Sequence, residues 1–229
     1  MFRSILDFWK GRDFLEEVLA SFSSMLIDAE EIYNMVLGAL SSGGDAKVLG
    51  DRIYEIDRKI NKREREIRRR VVEHLAVQPN ADLRFSLVLM SVVKDAERLG
   101  DYVKNLFEVF ELHRGPFEAA QQQEYFGDLP EEVGGLFKAT HQAFLKSDEE
   151  GARQVIGSKQ ELAQKCNSIV ERVAHDDGLS INDAVCMAVY ARFLKRISAH
   201  LGNIATSVVV PVDRLDYCDE RRDSLPSDR

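Results

Sequence analysis

Apolar residues recur every three or four positions along most of this chain, and that spacing places side chains on one face of an α-helix. The first such segment runs from Asp13 to Leu40 and is stopped by two serines and two glycines. Similar segments span residues 45–74 and 81–112, with Gln78-Pro79 between them. The pattern therefore predicts three long helices in the first half of the chain.

The second half shows the same pattern. Proline and acids at residues 128–132 predict a helix start, and that helix runs to Lys146. Ser147 with Glu150 predicts a capping box that opens a helix to Ala174, and Ser180 with Asp183 predicts the start of a last helix through Val209. We expect six long helices in all.

An internal repeat relates the two sets of three helices. Arg98 and Asn105 in the third helix have counterparts at the same separation in the sixth, Arg196 and Asn203. The expected fold class is all-α, with two antiparallel three-helix bundles, for which an end-to-end junction is one option. We assign residues 1–114 to the first repeat, 115–128 to a linker without apolar period, 129–212 to the second repeat and 213–229 to a charged, mobile tail.

The composition disfavours β-rich folds, nucleic-acid binding and cysteine-based disulfide or metal motifs. Only 14 glycines and 5 prolines among 229 residues disfavour a turn-rich β sandwich or barrel. A net charge of -8 makes nucleic-acid binding a poor expectation, because phosphate contacts need clustered lysine and arginine. Three widely spaced cysteines form neither a disulfide framework nor a paired metal motif, so we expect a reducing, cytoplasmic compartment.

Membrane and catalytic signals are weak. No apolar run approaches the ~20 residues of a membrane span, and Asp7 interrupts the start too early for a signal peptide. The apolar stretch at residues 2–10 either packs on its own bundle or contacts a membrane peripherally. We find no phosphate loop, nucleophile motif, Cys/His pair or di-iron motif, so we predict no catalytic residue and no enzyme.

Oxygen-bearing side chains recur every four residues on the second and third helices. If these helices are neighbours, the two stripes present hard ligands to a cation. In a chain with 39 acids such spacing also arises by chance, and the alternative is a solvated charged face that includes Arg98 and Lys104. Gly100, costly inside a helix, favours a close approach of a neighbour. The stripes comprise Asp57, Asn61 and Glu64 on the second helix and Glu97, Asp101 and Asn105 on the third.

These residues carry a resemblance to a known family. The chain from Asp57 to Ile67, the turn at Gln78-Pro79 with Asp82-Leu83-Arg84, and Glu97-Arg98-Leu99-Gly100-Asp101 with Asn105 together resemble the first repeat of PhoU, the phosphate-uptake regulator of bacteria and archaea. The resemblance extends over nearly the whole chain and implies the PhoU-like helical fold. It also implies a cytoplasmic regulator that restrains phosphate uptake.

The resemblance further implies partners and a metal site. The expected partners are the phosphate transporter ATPase and its sensor histidine kinase, and a homodimer or higher oligomer is expected. One alternative is an accessory protein of a sodium-dependent phosphate cotransporter, and another, of a different class, is a metal-dependent enzyme or metal store. The family's acid motifs imply a divalent or iron cation at Asp57, Asn61, Glu97 and Asp101, where Asn61 already replaces an acid.

The second repeat departs from the family pattern. Where acids are expected, the chain has Lys159 and Ala163 on the fifth helix and Lys195 and Ala199 on the sixth. Ammonium groups donate no lone pairs and repel a cation, so we expect no metal there.

One basic stretch needs a separate interpretation. Residues 57–70 contain eight basic side chains against three acids. They either form a patch for anionic lipid, a nucleotide-bearing partner or an acidic transporter surface, or they line the solvated faces of a long helix.

Overall fold

The computed structural model describes residues 12–78, 83–211 and 215, and within them it contains seven helices and no strand. The helices are α1 (Arg12–Ser42), α2 (Ala46–Val77), α3 (Leu83–His113), α4 (Ala119–Phe126), α5 (Leu129–Lys146), α6 (Glu149–Ala174) and α7 (Ile181–Val209). The six long ones match the six predicted segments, so the predicted all-α fold class is confirmed.

The two halves lie side by side, and the end-to-end option is wrong. Helices α1, α2 and α3 pack together, as do α5, α6 and α7. Helix α3 then packs along α7, and α1 packs against α5. These four helices form the centre of the molecule, while α2 and α6 lie on its flanks.

Apolar and polar contacts join the halves. Tyr33 of α1 is fully buried, and its hydroxyl donates to the carbonyl of Pro130 in α5 at 2.7 Å. Ser23 and His141 join the same two helices through a 2.6 Å hydrogen bond. A single continuous core of buried side chains runs through both halves.

Two predicted helix starts have different outcomes. Ser180 caps α7 as predicted, since its hydroxyl accepts from the amide of Asp183 at 3.1 Å. The prediction for Ser147 is wrong. Ser147 ends α5 with left-handed backbone angles, and the next residue, Asp148, caps α6 by accepting from the amide of Gly151. Ser147 and Asp148 are adjacent, and both residue types cap helices. The spacing to Glu150 does not determine which of the two is the cap.

The stretch 115–128 contains a helix that the sequence analysis missed. Helix α4 is eight residues long, too short to show an apolar period, although alanine and glutamine favour helix. Phe117, just before this helix, and Phe126, its last residue, are buried against Tyr190 of α7. This stretch therefore packs on the second half, while the domain boundaries themselves stay predictions.

Two expectations fall on the chain ends. The apolar stretch at residues 2–10 lies outside the described residues. So does the tail from 213, except for Leu215, which is buried. Among the helices described, none combines the length and apolar character needed to cross a bilayer.

Lys159 and Gly202 show how closely α6 and α7 approach. Lys159 is only 8% exposed, and a Cβ built on Gly202 would lie 2.3 Å from its Cδ and 3.0 Å from its Cγ. The aliphatic stem of the lysine therefore occupies the space that a side chain on α7 would need.

Replacing Gly202 by alanine should destabilise the protein, although alanine is favoured over glycine by about 1 kcal/mol within a helix. The added methyl group collides with the stem of Lys159, which is held between the helices. In a Lys159→Ala background the same change should raise the free energy of unfolding, because the space is then open. Chemical denaturation of the four proteins measures this, and an increase in both backgrounds would contradict the close approach.

His141 should make stability depend on pH. Burial lowers the pKa of its imidazole, so the unfolded chain binds a proton more readily than the folded one. Its contribution is fully present above the ordinary histidine pKa of about 6.5 and is lost as the pH falls through that region. Melting temperatures from about pH 8 to about pH 5 should fall less in His141→Gln than in wild type.

The exposed His175 provides the matched control, since it lies at the surface after α6. His175→Gln should retain the wild-type pH dependence. An unchanged pH dependence in His141→Gln would show that this imidazole does not titrate as its burial requires.

Candidate functional site

The predicted metal ligands lie along the contact between α2 and α3. Asp57 is 6% exposed, and Gly100 permits its approach, because a Cβ on Gly100 would lie 3.1 Å from Ile60 Cδ1 and 3.5 Å from Asp57 Oδ1. Asn61 donates to Asp57 Oδ2 at 3.2 Å. The close helix approach predicted from Gly100 is therefore present, and Ile60 and Asp57 of α2 both lie beside the glycine.

Lys104 connects the acids of the two helices. Its Nζ lies 3.5 Å from Asp57 Oδ2 on α2 and 3.1 Å from Asp101 Oδ1 on α3. Burial raises the pKa of Asp57, and the charge of Lys104 opposes that rise. For Lys104 burial acts to lower the pKa, but the bond to Asp101 and the charge of Asp57 outweigh it, so its pKa is raised. The ammonium form is the one that this environment favours.

A second lysine makes a similar connection further along the helices. Lys94 Nζ lies 2.7 Å from Glu97 Oε2 on α3 and 3.9 Å from Glu64 Oε1 on α2. Arg98 adds a contact of 3.1 Å to Asp101. Each of the predicted acidic ligands thus has a basic side chain of the same chain beside it.

These contacts decide how well the residues fit a metal. Among the residues that the structure describes, no group of three or more histidine, cysteine, aspartate or glutamate side chains is arranged to hold an ion. Two buried carboxylate oxygens of this site, Asp57 Oδ1 and Glu97 Oε2, accept no hydrogen bond from the described part of the chain. Lys94 Nζ lies 2.7 Å from Glu97 Oε2, so this contact is an ion pair without hydrogen-bond geometry. The acids of this site lie beside ammonium groups of the same chain, and metal binding at Asp57, Asn61, Glu97 and Asp101 stays an untested prediction.

Sequence reasoning found the acids of this site but not their partners. Lys104 entered it only as part of a solvated face, and Lys94 did not enter at all. Both lie three residues from an acid on their own helix, Asp101 and Glu97, which is a spacing that brings side chains together. Their contacts across to α2 depend on the axial register of two helices, which spacing along one helix does not determine.

The corresponding face of the second half is basic. Lys159 is buried on α6 with its stem against Gly202, and Lys195 on α7 donates to Asn167 Oδ1 at 2.9 Å. Ala163 and Ala199 supply no oxygen ligand. That the second repeat has lost a metal site present elsewhere in the family stays a prediction.

His200 takes part in joining the halves. Its Nδ1 lies 2.7 Å from Oδ1 of Asp95, a buried carboxylate on α3, and Asn203 donates to the same oxygen at 3.3 Å. The His200 ring also stacks on Tyr102 at 5.3 Å. Nothing in the spacing along either helix identifies His200 or Asp95, because their contact joins helices that are distant in the chain.

The basic stretch of α2 divides into two faces. Arg63 and Arg70 turn inward and pair with Asp28 and Glu17 of α1. A second set follows the exposed side of the helix at spacings of three or four residues, and its members are Arg58, Lys62, Arg65 and Arg69. The outward set lies on a solvated face, as one of the two interpretations expected, and forms a continuous basic stripe, which we call the α2 stripe. The inward residues do not lie on a solvated face, because they pair with α1.

A groove of about 500 Å³ between α4, α5 and α6 is a further candidate. Its charged groups are engaged with one another. Arg172 stacks over Tyr125 at 4.7 Å, Tyr125 donates to Asp176, and Lys165 contacts Glu132 at 2.6 Å. The groove therefore gives less indication of a ligand than the face between α2 and α3.

Comparisons with known proteins agree with this geometry. A family model described as the PhoU domain matches residues 22–110, which span most of α1, all of α2 and nearly all of α3. A sequence search against proteins of curated function gave no match.

Two solved structures resemble the whole molecule. The crystal structure of PhoU from Pseudomonas aeruginosa is 26% identical with a TM-score of 0.76, and the match covers 86% of this chain and 96% of that one. The crystal structure of the phosphate transport system regulatory protein PhoU from Streptococcus pneumoniae is 21% identical with a TM-score of 0.74, covering 85% and 93%. The first half of the chain thus matches the PhoU domain model, and the two halves together have the fold of these PhoU structures.

Proposed function

We propose that this chain regulates inorganic phosphate uptake by binding protein partners, namely a phosphate transporter ATPase, its sensor histidine kinase, or both. The observation that carries the proposal is the PhoU domain over residues 22–110, set in a fold shared with PhoU from Pseudomonas aeruginosa over most of both chains. The Streptococcus pneumoniae protein of the same fold is a phosphate transport system regulatory protein.

The surface of the bundle is suited to this role. The α2 stripe presents guanidinium and ammonium groups to solvent in a protein whose net charge is -8. A basic surface on an acidic molecule orients the approach of a partner that carries an acidic patch. The continuous core behind α2 supports the stripe on a rigid helix, so the partner meets a preformed surface.

A pull-down tests the proposal directly. The full chain, tagged and expressed in its native host, should recover a transporter ATPase or a sensor kinase from cells grown at high and at low phosphate. Charge reversal of the α2 stripe by Arg58→Glu with Lys62→Glu should reduce that recovery by about tenfold or more, the scale of about 1.4 kcal/mol of lost binding free energy. Recovery is measured by quantitative mass spectrometry.

Lys138→Glu with Arg192→Glu provides the matched control, because both residues are exposed but belong to the second half. This variant should retain wild-type recovery. Finding no transport or signalling protein under either phosphate condition would contradict the regulatory function. Recovery of a sodium-dependent cotransporter in their place would favour the accessory role.

A further inference from the structure

Two lysines of α3 connect the acids of α2 with those of α3. Lys94 lies between Glu64 and Glu97, and Lys104, ten residues further along α3, lies between Asp57 and Asp101. In each case one acid comes from α2 and the other from α3. Lys104 therefore hydrogen-bonds to both helices, whereas Lys94 contacts both as an ion pair, with the longer distance, 3.9 Å, on the α2 side.

The charges on this face balance without any added ion. Its carboxylates belong to Asp57, Glu64, Glu97 and Asp101, and the described basic groups within 4 Å of them belong to Arg68, Lys94, Arg98 and Lys104. Four negative charges thus face four positive charges. A divalent cation at Asp57 and Asp101 would add two more positive charges beside the ammonium group of Lys104, which already lies 3.5 and 3.1 Å from these acids.

The second half has a lysine in the corresponding region but on the other helix. The repeat pairs Arg98 with Arg196, and six residues further on it pairs Lys104 with Gly202. The lysine absent from α7 at that position is supplied by α6, because the stem of Lys159 fills the space over Gly202. Both halves therefore place a lysine between their second and third long helices.

We propose that Lys94 and Lys104 are the resident cations of the α2 and α3 face, in the place where the family resemblance leads one to expect a metal. A tethered ammonium is present in every molecule and needs no supply of ion. It compensates Asp57, whose carboxylate is 6% exposed and would otherwise be a buried uncompensated charge. The net charge of the face between α2 and α3 then does not depend on the concentration of any metal ion.

The first test measures metal content. The wild-type chain is incubated in turn with Mg²⁺, Mn²⁺, Zn²⁺ and Fe²⁺, desalted and analysed by elemental mass spectrometry, and its melting temperature is recorded with each metal and with a chelator. We expect metal well below one ion per chain and an unchanged melting temperature. A stoichiometric ion that is lost in Asp57→Asn would overturn the proposal.

The second test measures the coupling of Lys104 with Asp57. Lys104→Gln leaves a buried carboxylate uncompensated and should lower the melting temperature by about 2 to 4 °C or more. Adding Asp57→Asn should recover part of that loss, because the uncompensated charge is gone. Lys62→Gln, which alters an exposed lysine on α2, should leave the melting temperature unchanged.

Losses that simply add in the double variant would show that the ammonium does not compensate Asp57 and would overturn the proposal. If Lys104→Gln fails to fold, Lys104→Arg keeps the positive charge and should melt near wild type. The metal content provides the second criterion, because it does not require a Lys104 variant to fold.

Discussion

The contact of α3 with α7 is the constraint on which the rest of the molecule depends. Helix α3 belongs to the core of the first half and is also the surface on which the second half is built. The buried Asp95 of α3 is satisfied by His200 and Asn203 of α7, so a shift of one helix along the other would leave a buried carboxylate without partners. This polar contact selects one axial register among those that apolar packing alone would allow.

That register has consequences for the face between α2 and α3. Helix α3 is held from one side by α7, and from the other it presents Lys94 and Lys104 to the acids of α2. Because α7 covers one side of α3, these lysines lie on the side that faces α2. The contact between the two halves and the candidate site therefore lie on opposite sides of α3.

Much of the fold could be predicted from the sequence, because the apolar residues that form each helix face recur at regular spacings. The apolar face of α1 and the cap at Ser180 depend on residues close together in the chain, and both were predicted well. The short helix α4 was missed because its stability comes from Phe117 and Phe126 packing on Tyr190, a contact between distant parts of the chain. The acids of the site could be found because they recur at regular spacings along single helices. Their pairing with lysines could not, because it depends on how two helices are placed relative to each other.

The hydroxyl of Tyr33 shows what the side-by-side arrangement means for folding. This fully buried side chain in the first helix donates to the carbonyl of Pro130, 97 residues later in the chain. If the chain is divided after α3, the first fragment exposes Tyr33 and Asp95, and the second loses the surface that covers the start of α5. Each fragment would expose side chains that are buried in the whole molecule, so each half needs the other to complete its core. The shared core is therefore closed only after the last helix has been synthesised.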